Sequence, residues 1–414
     1  MKKTVAILGG NALNAGVAEI FRQQGYRIAV LDFRSEIGFE ADMHLQLDAT
    51  APASADILNN AYTLDLHGVY TSMDDAGLAQ KSICEKNGLL CADADALLRA
   101  HNKALMHERW ENCDLLGRIS YSTSCFEPLT LTRLNTSLRI ILKPVDSCAS
   151  RGISVMPANS DIHALEQAFF HAKEASATGA VNVEEYVEGQ EFTVEMLGDN
   201  YGNVCVYGIS KKYHTLNAGN NRIAVKLHYN PADVSPSVLQ QIADKGRACY
   251  KALALKNVFG HLEIIRKANG ELTPIELGAR SSGFIASHLA DAAVEEKYLC
   301  GLINVQHGGR VVDTFLPQRD FSAMYYFYDI PCGRESVKTT NITEYLPSGI
   351  SSKYWNRDNI IRGRSFAPIT QDTDRYGYEI LVGKQGLLTI EEVQKAERAF
   401  LYEFFTPETE RERC

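Results

Sequence analysis

The sequence lacks the marks of several common chemistries. Its ten cysteines are scattered and no two form a CxxC pair, so a zinc site built on such pairs is not expected. HExxH, GxSxG and GxxxxGK[ST] are missing, which removes the usual signatures of a zincin, an elbow-type serine hydrolase and a P-loop NTPase. No run approaches the ~20 apolar residues of a membrane span. The apolar stretch at residues 5–8 is too short for an export signal and is broken by Gly9, Gly10 and Asn11. The expectation is a cytoplasmic protein with reduced thiols and no membrane partner. Positive charge is also scarce: 42 Lys+Arg stand against 51 Asp+Glu, a formal net charge of −9. That argues against a nucleic-acid partner, which needs a basic face.

What is present is globular. Hydrophobic residues make up 45% and charged residues 22% of 414 residues, enough chain for two or three domains. The first hundred residues alternate strand and helix, with strands at 4–8, 26–31 and 69–72 and helices at 16–24 and from Asp74-Asp75 to Lys86. This is a βαβ pattern and predicts an open, mostly parallel sheet. Asn102 is placed to cap a helix running to Leu116, with Gly117 as its stop and Met106, Trp110 and Cys113 as its buried stripe. A polar stretch at 120–135 follows. Strands at 139–143, 153–156 and 181–184 around a helix at 161–175 predict a small α+β module. Strands at 191–198, 204–210, 261–266 and 272–277 predict a larger sheet, with an amphipathic helix at 236–253. Beyond Arg310 the chain is rich in Tyr, Arg, Gly and turn residues, with strands at 323–328 and 377–382. A helix at 390–405 closes it before the solvated tail TPETERERC. There is no internal repeat.

The segment HLEIIRKANGELTPIELGAR, from His261 to Arg280, carries the most chemistry. Asn269-Gly270 between two strand-like runs signals a hairpin. A two-residue turn there pairs Ala268 with Glu271 and brings Glu263 opposite Glu276, with Cα atoms ~4.5 Å apart. Leu262, Ile264, Ile275 and Leu277 then point into a core. Opposed carboxylates repel, so a divalent cation, a shared proton or a nearby base must offset them, unless the pair sits on a solvated face. Oxygen-only donors suit Mg²⁺. Arg280 follows on the loop and can reach an anion held there. Pro274 cannot donate to a neighbouring strand, so an edge or a bulge is expected beside it.

Two other segments complement this hairpin. RIILKPVDSCASRGISV places Lys143 at a strand end, before a small polar loop at 146–152 whose backbone N–H groups can fold over phosphates; an ordinary hairpin loop is the plainer reading. VNVEEYVEGQEFTVEM runs strand, Gly189 hinge, strand. Its carboxylates can accept from ribose hydroxyls, or it can be a solvated acidic linker.

The order of Lys103 at a helix start, ILKP with a loop ending SRG, VEEYVEGQEFTVE and E…IELGARSSG resembles the ATP-grasp superfamily of carboxylate–amine ligases over about residues 1–304. IELGARSSG and the overall size resemble the L-amino-acid ligases, which make dipeptides. The resemblance implies an α/β, ATP-grasp fold: an N-terminal Rossmann-like open sheet (1–117), a small α+β lid (118–189), a central antiparallel catalytic subdomain (190–309) and a C-terminal β-rich subdomain (310–414). It implies ATP and two Mg²⁺ ions, with Mn²⁺ as an alternative, and an acyl-phosphate route to an amide from small carboxylate and amine substrates; it allows a homodimer. Lys103 and Lys143 match the lysines on the ATP phosphates. Ser150, Arg151 and Gly152 match the phosphate-covering loop. Glu184 and Val187 match the adenine hinge, through backbone or side chain, and Glu191 the ribose carboxylate. Glu263 and Glu276 match the metal ligands. Arg280 matches the arginine that steadies the acyl phosphate, with Ser281, Ser282 and Gly283 beside it on the substrate side. His228 resembles a substrate-side histidine, and a structural histidine is the competing reading.

The chain departs from the family pattern in three places. The loop DSCASRGI is poor in glycine, Gly278 stands where many relatives have an Asn ligand, and GGNALNAG is not GxGxxG. Rival readings are a purine-type or biotin-carboxylase-type ATP-grasp ligase, or a sensor that binds ATP or amino acids without catalysis.

Overall fold

The computed structural model describes residues 3–62, 64–147, 151–216, 222–283, 286–294, 298–315, 321–327, 342–356 and 377–405. The expected polar tail, Ser150 and Tyr328 lie outside the described residues. The chain forms two compact units. One comprises Met1–Tyr207, Gln240–Gly283 and Leu299–Phe315; the other comprises Gly208–Leu239, Phe284–Tyr298 and Leu316–Cys414.

The chain opens with β1 (Thr4–Leu8), α1 (Ala15–Gln23), β2 (Arg27–Leu31), β3 (Met43–Leu45), α2 (Ser54–Ala61), β4 (Leu66–Thr71), α3 (Gly77–Lys86), α4 (Ala94–His101) and α5 (Lys103–Asn112). Next come β5 (Ser120–Thr123), α6 (Pro128–Asn135), β6 (Ile140–Pro144), β7 (Ser154–Met156), α7 (Ile162–Glu174) and β8 (Val181–Glu185). The middle of the chain forms β9 (Gln190–Gly198), β10 (Val204–Leu216), β11 (Arg222–Tyr229), α8 (Pro236–Ala252), β12 (Phe259–Arg266) and β13 (Leu272–Gly278). The remaining described elements are α9 (Ala286–Val294), α10 (Gly301–Gln306), β14 (Phe321–Phe327), β15 (Ser351–Asn356), β16 (Tyr378–Lys384) and α11 (Ile390–Phe405).

In the first unit, β1–β4 form the expected parallel sheet, in the order β3-β2-β1-β4. Val5 to Leu8 are fully buried, as strands covered on both faces require. A second, antiparallel sheet has the order β5-β8-β6-β7. The alternation in β8 divides its faces. Val181 and Val183 join Ile140, Leu142, Leu165 and Phe169 in a core under α7, while Asn182 and Glu184 point the other way. The stretch at 120–135, read only as polar, contains β5 and α6. The third sheet of this unit runs β13-β12-β9 and continues to the start of β10. In the second unit the rest of β10 is followed by β11, β14, β16 and β15. Here Met324, Leu381, Val393 and Phe400 share a core with α11.

Asn102 caps α5 as expected, accepting from Ala104 N and Leu105 N. The helix stops at Asn112, earlier than expected, because Asp114 takes the left-handed conformation (φ 56°), which Asp tolerates better than most residues. Cys113 is therefore exposed and does not join the buried Met106 and Trp110. Among the described residues no helix is long and apolar enough to cross a membrane.

Candidate functional site

Glu263 and Glu276 are register partners on β12 and β13, but not by the simple turn expected. Gly270 N donates to Lys267 O and Lys267 N donates to Glu271 O, both at 2.9 Å. The turn therefore holds Ala268, Asn269 and Gly270, with Gly270 at φ 89°. This three-residue loop shifts the pairing by one, so that Arg266 faces Leu272 and Ile264 faces Pro274. A bulge between Glu263 and Ile264 shifts it back and leaves Ile275 as the extra residue. Ile275 is consequently half-buried, not a core residue like Leu262, Ile264 and Leu277. The bulge lies beside Pro274, and β13 ends the sheet order, so the proline's missing donor costs no ladder bond.

The exposed carbonyls of the bulge are taken up by side chains that the sequence did not single out. Arg118 donates to Pro274 O and Ile275 O, and His107 Nε2 lies 3.2 Å from both Ile275 O and Arg118 Nη2. His107 Nδ1 lies 2.8 Å from Ser120 Oγ. Burial pulls the imidazole down to about 3, keeping it neutral.

Arg118 also reaches Glu184, Nη2 to Oε2 at 2.7 Å. Lys143 Nζ approaches the other oxygen at 2.6 Å, and Asn182 Nδ2 donates to the same oxygen at 2.6 Å. Burial alone would raise the Glu184 carboxyl, but Arg118 and then Lys143 outweigh it and hold it down at about 2. Burial lowers Lys143 despite this partner. Only 2% of the Glu184 side chain is exposed, so its carboxylate faces cations in the interior and is not presented as a free hinge acceptor. Val187, Tyr186 and Glu188 lie on the connection to β9, where the Arg139 guanidinium stacks 4.4 Å from the Tyr186 ring.

Lys103, the first residue of α5, donates to Ser147 O at 2.9 Å and lies 3.2 Å from Glu276 Oε2. Burial disfavours its charge, yet the Glu276 carboxylate raises it. Glu276 in turn is held low by Lys103 and Lys143 against the penalty of burial. Its side chain remains 36% exposed, so it is the member of this network open to a ligand. Asp74, His101, Lys103, Ser147, Glu276 and Gly278 are among the residues lining a cleft there.

Arg280 leaves β13 and turns toward β4. Its Nε and Nη2 donate to the two oxygens of Asp74, each at 2.8 Å, and Nη1 donates to Ser281 O at 3.0 Å. Burial opposes its charge and Asp74 raises it. Ser281 is fully buried, with Oγ hydrogen-bonded to Tyr70 OH. Ser282 is buried and Gly283 exposed. Glu195 and His261 form a further buried pair, 2.7 Å apart, and His261 Nε2 lies 4.0 Å from Glu263 Oε1.

The first unit thus gathers Lys103, Lys143, Glu184 and Glu276 directly, places Glu263 opposite Glu276 and brings in Arg280 through Asp74. Glu191 is buried on β9 opposite Ile265. Arg151 is exposed, and Gly152 sits at φ 70° against Pro144 and Ala175. His228 belongs to the second unit, buried, with Nε2 3.3 Å from Ser322 Oγ and Nδ1 without a partner; burial lowers it to about 4. Asp74, His107, Arg118 and Asn182 carried no signal of their own. Only the first Asp of Asp74-Asp75 and the N in VNVEE hint at Asp74 and Asn182, and neither names a partner.

Residues 136–288 match the family model of the ATP-grasp domain. No curated protein matches the chain. Among solved structures it is similar to the L-amino acid ligase from Bacillus licheniformis, at 17% identity and TM-score 0.75, over 97% of this chain and 98% of that one. It is also similar to phosphoribosylglycinamide synthetase from Anaerococcus prevotii, at 16% identity and TM-score 0.70, over 97% and 98%. A third likeness is to the biotin carboxylase domain of the Hydrogenobacter thermophilus 2-oxoglutarate carboxylase, solved with MgADP, ADP and bicarbonate, at 13% identity and TM-score 0.67, over 93% and 86%. Likeness at such identities speaks for the fold: a parallel N-terminal sheet, a small antiparallel sheet and a large antiparallel sheet, with the matched domain spanning the second and third. Residues 136–288 of the chain are thus assigned to an ATP-grasp domain.

Proposed function

We propose that the protein is an ATP-dependent carboxylate–amine ligase that joins two amino acids into a dipeptide. The observation that carries this reading is the convergence of Lys103, Lys143 and the Glu263–Glu276 pair, with Glu276 open to the cleft. Lys103, Lys143, Arg118 and Arg280 are balanced by Asp74, Glu184, Glu263 and Glu276. A nucleoside triphosphate adds about four negative charges, which two divalent cations would neutralise. The donors at Glu263 and Glu276 are oxygens only, a set that fits Mg²⁺ or Mn²⁺. Such ions supply charge neutralisation on the phosphates when bound.

In this reading Lys103 and Lys143 hold the phosphates in line with the substrate carboxylate. A carboxylate oxygen forms a bond to the γ-phosphorus as the bond to ADP breaks. The amine then attacks the acyl carbon, phosphate leaves with its bonding electrons, and the amine loses a proton. Arg280 stabilises the oxyanions of both steps. Residues 118–189, with Ser150, Arg151 and Gly152, act as a lid that excludes water, and Val187 and Glu191 take the adenine and ribose end. Residues 1–117, with Ser281, Ser282 and Gly283, contribute to amino-acid selection around Arg280 and the glutamate pair.

The test is MgATP calorimetry followed by ADP release across amino-acid pairs, with mass detection of the product. Micromolar MgATP binding and pair-dependent ADP release with a dipeptide product are expected. MgATP binding without release for any pair would instead identify a sensor. Release requiring bicarbonate would identify a carboxylating ligase.

A further inference from the structure

Gly278 and Asp74 occupy one small volume. A Cβ built on Gly278 would stand 2.5 Å from Asp74 Oδ1, and 3.2 Å from both Cγ and Nε of Arg280. Real Cβ atoms do not approach an oxygen so closely. The carboxylate that a strand-end loop sends across from β4 therefore fills the place where a side chain of β13 would otherwise be. It uses that place to hold Arg280 side-on, through Nε and Nη2 at 2.8 Å each. Of the five N–H groups of a guanidinium, these two and the one given to Ser281 O are committed. The two that remain are one on Nη1 and one on Nη2, off the edge that faces Asp74.

We infer that Asp74 is the positioning residue for Arg280, admitted by the absence of a side chain at 278, and that it fixes which edge of the guanidinium meets the substrate. The Asp74–Arg280 pair is well buried, with side-chain exposures of 22% and 13%, so its geometry is set by packing as well as charge. The arginine is thereby oriented before substrate arrives, and no rotamer search is left for the reaction step. The kinetic consequence rests on the ligase reading above; the geometric one does not.

Two measurements test it. The first is a melting-temperature cycle. Gly278→Ala should lower Tm by about 2–4 °C in the wild-type background and have almost no further effect once Asp74→Ala has removed the colliding carboxylate. Equal losses in both backgrounds would overturn the shared-volume argument. The second is kinetic. Asp74→Ala should lower kcat for ADP release about 10-fold or more while the Kd for MgATP stays within about 2-fold. Asp74→Ala/Gly278→Asp should recover much of that loss, because an aspartate at 278 can return a carboxylate oxygen to the site of Asp74 Oδ1. A full kcat in Asp74→Ala, or a double variant no better than the single one, would overturn the positioning role. If the wild type releases no ADP with any amino-acid pair, the ligase reading fails, and the melting cycle still decides the clamp.

Discussion

Lys143 and Glu184 are diagonal neighbours on β6 and β8: Lys143 stands opposite Asn182, two residues before Glu184. Diagonal side chains on one face are within reach of each other, and here the charged ends meet at 2.6 Å with almost no exposure. The same carboxylate holds Arg118, which in turn holds the carbonyls of the β13 bulge. One buried carboxylate therefore links the small antiparallel sheet to the strand carrying Glu276.

Glu184→Gln removes the anion from between two buried cations. Breaking such a network by deleting one partner costs about 3–5 kcal/mol. Urea unfolding should show that loss, and a loss below about 1 kcal/mol would mean the cations find other partners.

Acid should weaken the fold in two stages. His107 is lowered from 6.5 to about 3, so below pH 6.5 the unfolded chain takes up a proton that the folded one refuses. Glu184 is lowered from 4.5 to about 2, so its stabilisation is whole above pH 4.5 and drains away as pH falls toward 2. In both cases the unfolded state binds more protons, and stability falls with falling pH. Relative to wild type, His107→Gln should flatten the stability profile between pH 6.5 and about 4.5, and Glu184→Gln below 4.5. Parallel profiles for wild type and variants would refute the assignment.

Glu263→Gln and Glu276→Gln should each reduce ADP release at least about 100-fold, the scale on which one preorganised charge contributes to a transition state. MgATP affinity should fall less. Turnover within a few-fold of wild type for both would remove the metal assignment.

Arg280→Lys should lose about 100-fold in kcat with little change in MgATP Kd. An ammonium cannot take the two oxygens of Asp74 side-on and still offer a planar edge to substrate. A lysine variant with near-normal kcat but altered Tm would make Arg280 a structural partner of Asp74 only.

Gly270→Ala should destabilise by about 1–2 kcal/mol, because alanine must then adopt the left-handed conformation at the turn. Chemical denaturation measures it directly. A neutral result would mean the turn relaxes to another type without disturbing the Glu263–Glu276 pairing.

The hairpin shows how a correct pairing was legible for an incomplete reason. Asn269-Gly270 announced a reversal, and period-2 alternation put Glu263 and Glu276 on one face. The turn length and the bulge at Ile275 each move the register by one, in opposite senses, and only their sum matches the simple count. Pro274 signalled a bulge or an edge, and both are present. Local signals of this kind act between residues close in sequence: the Asn102 cap, the apolar strands β1 and β2, and Lys103 at the head of α5.

The sequence by itself determined the strands β1 and β2, the Asn102-capped helix, the pairing of Glu263 with Glu276 and the order of the ATP-grasp-like segments. These follow from side-chain alternation, capping and turn chemistry, all written within a few residues. Tertiary structure alone decided that Asp74 clamps Arg280 in the space left by Gly278, and that Arg118 and His107 close the bulge while Glu184 turns inward. Those contacts join side chains far apart in the chain. They depend on how strands from separate sheets are brought together, and burial then makes each unpaired charge costly enough to require its partner.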